Sequence, residues 1–292
     1  MMNNQRYSPS GFGFLPPVVK NLLIINGLFF LATIVLGNTM NIDLTDLLGL
    51  HYFAADKFAP YQFITYMFMH GNFSHIFFNM FALWMFGSVL EQAWGPKKFL
   101  FYYIITGIGA AVVHYLVFYF QITPVLQSID VFIANPDMAT LNQFVSTHQF
   151  SLSESSSDIY SAFEVFKQNY ATLQQDPGNM QAMQETIHFV TAYREHFLNL
   201  PVVVGASGAV YGLLLAFGML FPNSLIYLYF FIPIKAKWFV IIFGIIELVS
   251  GFYDHGSNVA HFAHLGGMIF GFFLIIYWKK KADKHRNNYW EQ

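Results

Sequence analysis

Cysteine is absent from the 292 residues, and charge is scarce, with Asp, Glu, Lys and Arg together making up 10%. The first absence removes disulfides, thiolate metal sites and a cysteine nucleophile, and it leaves the redox compartment undetermined. The second excludes more. A soluble domain carries roughly 25% charged residues, so a chain with 10% charged and 55% hydrophobic residues cannot cover itself with polar surface. Most of it must face lipid. A net charge of −2 offers nothing to a phosphate backbone, so no nucleic-acid partner is expected. Also missing are an H-E-x-x-H metal motif, paired repeats of broken helices that would mark a transporter, and any internal sequence repeat. No metal and no cofactor are expected.

What the chain does have is long apolar runs. A helix needs about 20 such residues to cross a bilayer, and six segments qualify: 17–37, 73–91, 98–120, 201–221, 237–253 and 258–278. The run at 22–37 follows Arg6 and Lys20 in the manner of a signal peptide, but no small-x-small cleavage site comes after it, so it reads as an uncleaved first span. "SLIYLYFFIPI", between the fourth and fifth spans, is too short to cross and reads as an interfacial or re-entrant piece. Six spans put both termini on one side. Of the 14 lysines and arginines, all but Lys57, Lys167 and Arg194 fall on that side, and excess positive charge marks the cytoplasm. The expected product is an all-α polytopic membrane protein with cytoplasmic termini. Its parts are spans one to three in 1–121, a long external helical stretch in 122–200, spans four to six in 201–278, and a basic cytoplasmic tail in 279–292. Within 122–200, Ile159, Phe163, Phe166 and Tyr170 recur at helical spacing, "DPGN" makes a turn, and "MQAMQETIHFVTAYREHFL" makes a second helix. Together they predict an external helical hairpin.

Polar side chains inside hydrocarbon are costly and usually functional. The second span opens "MHGNFSHIFFNMF", with His70, His75 and Asn79; the fourth carries Ser207 in "GASG"; the sixth carries His261 and His264 in "AHFAHLGG". These three spans enter from the same side. Six residues past Pro201, Ser207 lies about 9 Å down its helix at 1.5 Å per residue; His264 and His75 fall at similar depth, with Asn79 one turn deeper on the same face as His75. Two G-x-x-x-G pairs, Gly208/Gly212 and Gly267/Gly271, allow the fourth and sixth helices to approach closely and bring Ser207 to His264. A hydroxyl becomes a nucleophile when an adjacent base takes its proton, and neutral histidine suits that role. His75, the Asn79 amide and the Ser207 backbone N–H are available to hold an oxyanion. A soluble-hydrolase elbow, G-x-S-x-G, is ruled out, because the fifth position is Ala209.

Together these residues resemble the rhomboid family of intramembrane serine proteases, over about 60–121 and 201–278. The resemblance implies Ser207 as nucleophile in "GASG", His264 rather than His261 as base in "AHLGG", His75 and Asn79 as the oxyanion element in "HIFFN", and Tyr211 packed on the imidazole. Glu91 with Gly95 resembles the family's structural pair. It implies a serine endopeptidase, using a Ser–His dyad with no Asp partner, that cleaves single-span membrane proteins near the outer face in contact with the lipid bilayer. A bacterial inner membrane is the expected location; the oligomeric state stays open. Where the family often carries Trp-Arg, this chain has Tyr61-Gln62, which puts the anchoring of that loop in question. The 122–200 stretch exceeds what the family core requires; it either restricts access or recruits substrates. Three other readings compete: a metal site at His261, His264, His70 and His75, a transporter, and an inactive relative that binds membrane-protein clients. The inactive relatives lack the serine or the histidine, and both are present here. His261 and His70 read as structural or cavity-lining groups, and Glu247 reads as a buried acid with no catalytic role.

Overall fold

The computed structural model describes residues 15–150, 152, 157–200, 202–228, 231–253 and 260–290. Arg6, Pro201, most of the "SLSESSSD" linker and the "DHGSN" loop lie outside them. The first helix, α1 (Pro17–Met40), starts with proline at its first position, where a missing N–H costs nothing. No side chain of its own caps it. Instead the Glu91 carboxylate accepts the backbone N–H groups of Val18 at 3.0 Å and Val19 at 2.8 Å. After α1 come two short helices, α2 (Leu44–Leu48) and α3 (Gln62–Thr65). The next span runs Phe73–Trp94 as α4 (Phe73–Ala82), a π-helical turn at Leu83–Gly87 and α5 (Ser88–Trp94). Gly95, at φ +80°, ends it in a conformation that suits glycine. There α6 (Pro96–Ala134) begins, a single helix of 39 residues with Pro124 inside it.

The helix α6 continues well past the expected boundary at 121 and carries the chain directly into the 122–200 stretch. That stretch adds α7 (Met138–Thr147), α8 (Ser157–Gln175) and α9 (Met180–Asn199). The hairpin is there as α8 and α9, with Asn179 capping α9 by accepting from Ala182 N–H at 3.0 Å. It does not stand alone. Ile129 and Phe132 of α6 and Leu141 and Phe144 of α7 complete a core with Phe166, Leu173, Phe189, Val190 and Tyr193. A helix pair cannot bury an apolar stripe by itself, and the end of α6 supplies the missing side. A second seam, Tyr52 and Ala55 with Ile122 and Leu198, joins this unit to the loop after α2.

The remaining elements are α10 (Ser207–Leu220), β1 (Leu225–Leu228), β2 (Ile232–Lys235), α11 (Ala236–Tyr253) and α12 (His261–Trp290). The "SLIYLYFFIPI" segment is an antiparallel hairpin, with Leu225 opposite Lys235 and Leu228 opposite Ile232. Its β-branched and aromatic residues suit strands, and Pro233 rules out helix continuation.

Among the described residues, five helices are long and apolar enough to cross a membrane: α1, Phe73–Trp94, α6, α11 and α12. The expected fourth span is shorter. α10 has 14 residues and rises about 21 Å, less than the roughly 30 Å of hydrocarbon. It is also the interior helix. Gly208, Ala209, Val210, Gly212, Leu213, Leu214, Ala216 and Gly218 are buried, as expected for a helix that is apolar all round. α11 is the opposite case: Ile241, Ile242, Ile245, Ile246, Leu248 and Val249 are exposed, an apolar surface suited to lipid.

Candidate active site

The residues before Ser207 decide how it is presented. Val203 pairs with Leu50 through both backbone groups, at 2.9 and 3.0 Å, and Gly205 N–H donates to the Tyr66 carbonyl at 2.9 Å. The stretch around Val203 is therefore clamped against the loop that carries Leu50. Gly205 turns it into the helix at φ +123°, a region open to glycine, and a Cβ there would lie 2.6 Å from His75 Nε2. Ser207 is the first residue of α10. It does not lie a turn and a half down a helix from Pro201; a non-helical stretch carries the chain inward. The consequence is chemical. Ala206 at the N-cap has no capping side chain, so the first N–H groups of α10 have no intrahelical partner.

The loop clamp answers the question raised by Tyr61-Gln62. Gln62 is buried; its Oε1 accepts from His51 N–H at 3.2 Å and Ala59 N–H at 3.1 Å, and its Nε2 donates to the carbonyls of Lys57 at 2.9 Å and Leu47 at 3.3 Å. One amide with two donors and two acceptor lone pairs does the anchoring.

The glycines bring α10 and α12 together. A Cβ on Gly267 would overlap the backbone carbonyl of Gly208, so the first glycine of each pair makes the close approach between the two helices. The second glycines do something else: Gly212 faces Thr106, and Gly271 faces Tyr102 and Thr106, all on α6. Across the α10–α12 contact, His264 Nε2 lies 2.8 Å from Ser207 Oγ. The Tyr211 ring stacks on the imidazole, with centroids 4.3 Å apart and planes 6° apart. His75 and Asn79 sit in α4. The Asn72 side chain caps that helix by accepting from His75 N–H at 2.8 Å, which sets the first turn. The Asn79 Nδ2 is buried with no hydrogen-bond partner among the described residues.

His264 has a partner on its other side that sequence reasoning missed. Its Nδ1 lies 2.8 Å from Glu247 Oε2, and His261 Nδ1 lies 2.7 Å from the same oxygen. The Tyr211 hydroxyl donates to Glu247 Oε1. A carboxylate only accepts, so His264 Nδ1 carries the proton, which leaves Nε2 as the lone-pair nitrogen facing the serine hydroxyl. Tyr211 is thus not the sole group orienting the imidazole.

Glu247, His261 and His264 are also the described residues that form a possible metal-ligand set. Both nitrogen–oxygen separations are hydrogen-bond lengths, shorter than the roughly 3.3 Å between ligands of a tetrahedral zinc with bonds near 2.0–2.1 Å. Protons fill these gaps. The four-histidine grouping does not form around these atoms. His70 instead packs edge-on against His75, with ring centroids 5.0 Å apart. It lies outside the spans, where burial first and His75 second lower its pKa to about 4.

The fold and site define a polytopic helical membrane protein with a partly buried serine–histidine pair. A Rhomboid domain family model matches residues 57–122 and 181–281, more than half of the chain, and passes over 123–180. The chain belongs to the rhomboid family. Rhomboid-like protein 11, chloroplastic, of Arabidopsis thaliana is 34% identical over 94 residues, 32% of this chain and 34% of that protein. An uncharacterised mitochondrial rhomboid protein of Schizosaccharomyces pombe is 37% identical over 87 residues, covering 27% and 22%. Rhomboid-like protein 15 of Arabidopsis thaliana is 26% identical over 103 residues, covering 35% and 25%. The matches thus span about a third or less of these relatives' own length.

Proposed function

We propose that this protein is an intramembrane serine endopeptidase. The observation that carries the reading is the 2.8 Å contact between Ser207 Oγ and the unprotonated Nε2 of His264. As Oγ attacks a peptide carbonyl carbon, Nε2 takes its proton. The tetrahedral oxyanion accepts hydrogen bonds from the Ser207 backbone N–H, the Asn79 amide and His75, donors that stand ready before charge develops. The C–N bond breaks, the Nε2 proton passes to the leaving amine, and an ester on Ser207 remains. Water then attacks the ester with His264 again as base, releasing a carboxylic acid and restoring the serine. No cofactor enters any step.

The substrates are single-span membrane proteins. A peptide bond locked in a helix has its carbonyl already bonded, so the segment must unwind to be cut, and small or helix-breaking residues favour cleavage. We place both termini in the cytoplasm, on the distribution of lysine and arginine, with Ser207 near the outer face and 122–200 as an inserted external unit. The relatives' names place two of them in chloroplast and mitochondrion, so a bacterial inner membrane draws no support from them.

Family membership admits proteases and inactive rhomboid-like proteins, and the two separate in one assay. Wild type in proteoliposomes with a single-span substrate carrying a small-residue, helix-breaking site is expected to cut it. Ser207→Ala and His264→Ala are expected to leave it whole. A folded wild type that cuts no such substrate and reacts with no serine-directed probe contradicts the reading and supports a client-binding role.

A further inference from the structure

Along α11 the described buried residues are Ala236, Val240 and Glu247. In its second half, then, the helix turns a carboxylate toward the core and its isoleucines outward. That inverts the usual preference, since acidic side chains are seldom buried unless paired. Holding α11 in place would need only a leucine at this position. A buried charge costs several kcal/mol to desolvate and persists where donors compensate it. Three donors do so here: the Tyr211 hydroxyl on one oxygen, and His261 Nδ1–H and His264 Nδ1–H on the other. They come from two helices, α10 and α12. Of these donors, His264 is the only one whose opposite ring nitrogen meets Ser207.

We propose that Glu247 is the third member of the Ser207–His264 unit, a positioning carboxylate that makes it a Ser–His–Glu triad. This rests on the protease reading above. Glu247 acts through His264. It fixes the Nδ1–H tautomer and the ring plane, and it stabilises the imidazolium that forms when Nε2 takes the serine proton. Tyr211 serves twice, stacking on the imidazole and donating to the carboxylate that holds it. His261 anchors the shared oxygen, which gives the first histidine of "AHFAHLGG" a role beside the base. No bond to Glu247 forms or breaks, and its charge is the same before and after turnover.

The test uses the full chain in detergent and follows fluorophosphonate labelling of wild type, Glu247→Gln and Glu247→Asp across pH, with Ser207→Ala as the blank. Among the described residues, the other titratable side chains around His264 are Tyr211 from α10, His75 from α4, His114 from α6 and His261. Glu247→Gln leaves all of these in place. Labelling is expected to slow roughly 10²- to 10⁴-fold in Glu247→Gln, the range seen when the acid of a triad is lost. The acid limb of its pH profile should move to lower pH, because the imidazolium has lost its counter-charge. Glu247→Asp is expected to recover part of the rate. Wild-type labelling with Glu247→Gln within threefold of it and an unmoved acid limb overturns the proposal and leaves the protease reading intact. A folded wild type that does not label overturns both. Should Glu247→Gln fail to fold, the proton NMR spectrum of ¹⁵N-histidine-labelled protein decides. A low-field Nδ1 proton present in wild type and His261→Ala but lost in His264→Ala supports the triad, and its absence from wild type refutes it.

Discussion

Two glutamates are buried in this membrane protein to nearly the same degree, Glu91 at 2% and Glu247 at 6% exposure, at opposite ends of the bundle. Glu91 accepts from two backbone N–H groups at the start of α1. Helix N-terminal donors cannot titrate and barely move, and the helix dipole favours a negative charge there. Glu247 accepts from a tyrosine and two histidines, whose protons are held by side chains that can give them up. The low-dielectric setting is common to both, and the partner decides the outcome. Backbone donors make the carboxylate a fastener; side-chain donors make it part of a proton-transfer unit.

Breaking Glu91 gives the largest effect on stability. Glu91→Ala leaves the α1 N–H groups unpaired in the interior, and charge-assisted hydrogen bonds are worth about 1.5–3 kcal/mol each. The expected loss from the two bonds is about 3–6 kcal/mol by thermal unfolding in detergent, with the labelling rate per folded molecule within about threefold of wild type. Glu247→Gln is expected to show the reverse, a large loss of rate on a protein that still folds. Equal effects of the two variants on rate would break the comparison.

A smaller effect sharpens it. Tyr211→Phe removes one donor to Glu247 and keeps the ring that stacks on His264. Labelling is expected to fall about 3- to 10-fold, the effect of about 0.5–1.5 kcal/mol for one hydrogen bond that reaches the imidazole only through the carboxylate. A loss as large as that in Glu247→Gln would mean that the tyrosine hydroxyl, and not the carboxylate, holds the imidazole.

The smallest effect lies outside the candidate membrane spans. His148, whose Nε2 is 2.5 Å from the Tyr193 hydroxyl, has its pKa lowered by burial. The folded state keeps this imidazole neutral, while the unfolded chain binds a proton below about pH 6.5. Its contribution to stability is therefore present above about pH 6.5 and lost as pH falls toward the lowered value. Amide exchange in α7 and α9, corrected for the intrinsic pH effect, is expected to be faster at pH 5.5 than at 7.5. Unchanged protection would mean that His148 does not couple the fold of this unit to pH.

Much of the candidate site was legible in the sequence. Ser207, His264 and Tyr211 stand where the motifs and the glycine spacing led, because a close helix contact leaves so few ways to arrange small residues. The route to Ser207 was not legible. Its depth comes from a β-bridge between Leu50 and Val203, a pairing over more than 150 positions that no local pattern announces. The same is true of Glu247, read alone as an acid in an apolar run; its histidine partners lie 14 and 17 residues on, in another helix. The length of α6 was not legible for another reason. Polarity changes near residue 121, but a helix takes its length from continuous backbone hydrogen bonding, and Pro124 did not stop it.

The central claim, that Ser207 is an activated nucleophile, is tested most directly by labelling the purified chain with a fluorophosphonate and locating the adduct by mass spectrometry. The account predicts one adduct per chain on Ser207, lost in Ser207→Ala and reduced by about 10⁴-fold or more in His264→Ala. An adduct on another residue, or labelling of Ser207 that persists at the wild-type rate in His264→Ala, would contradict it.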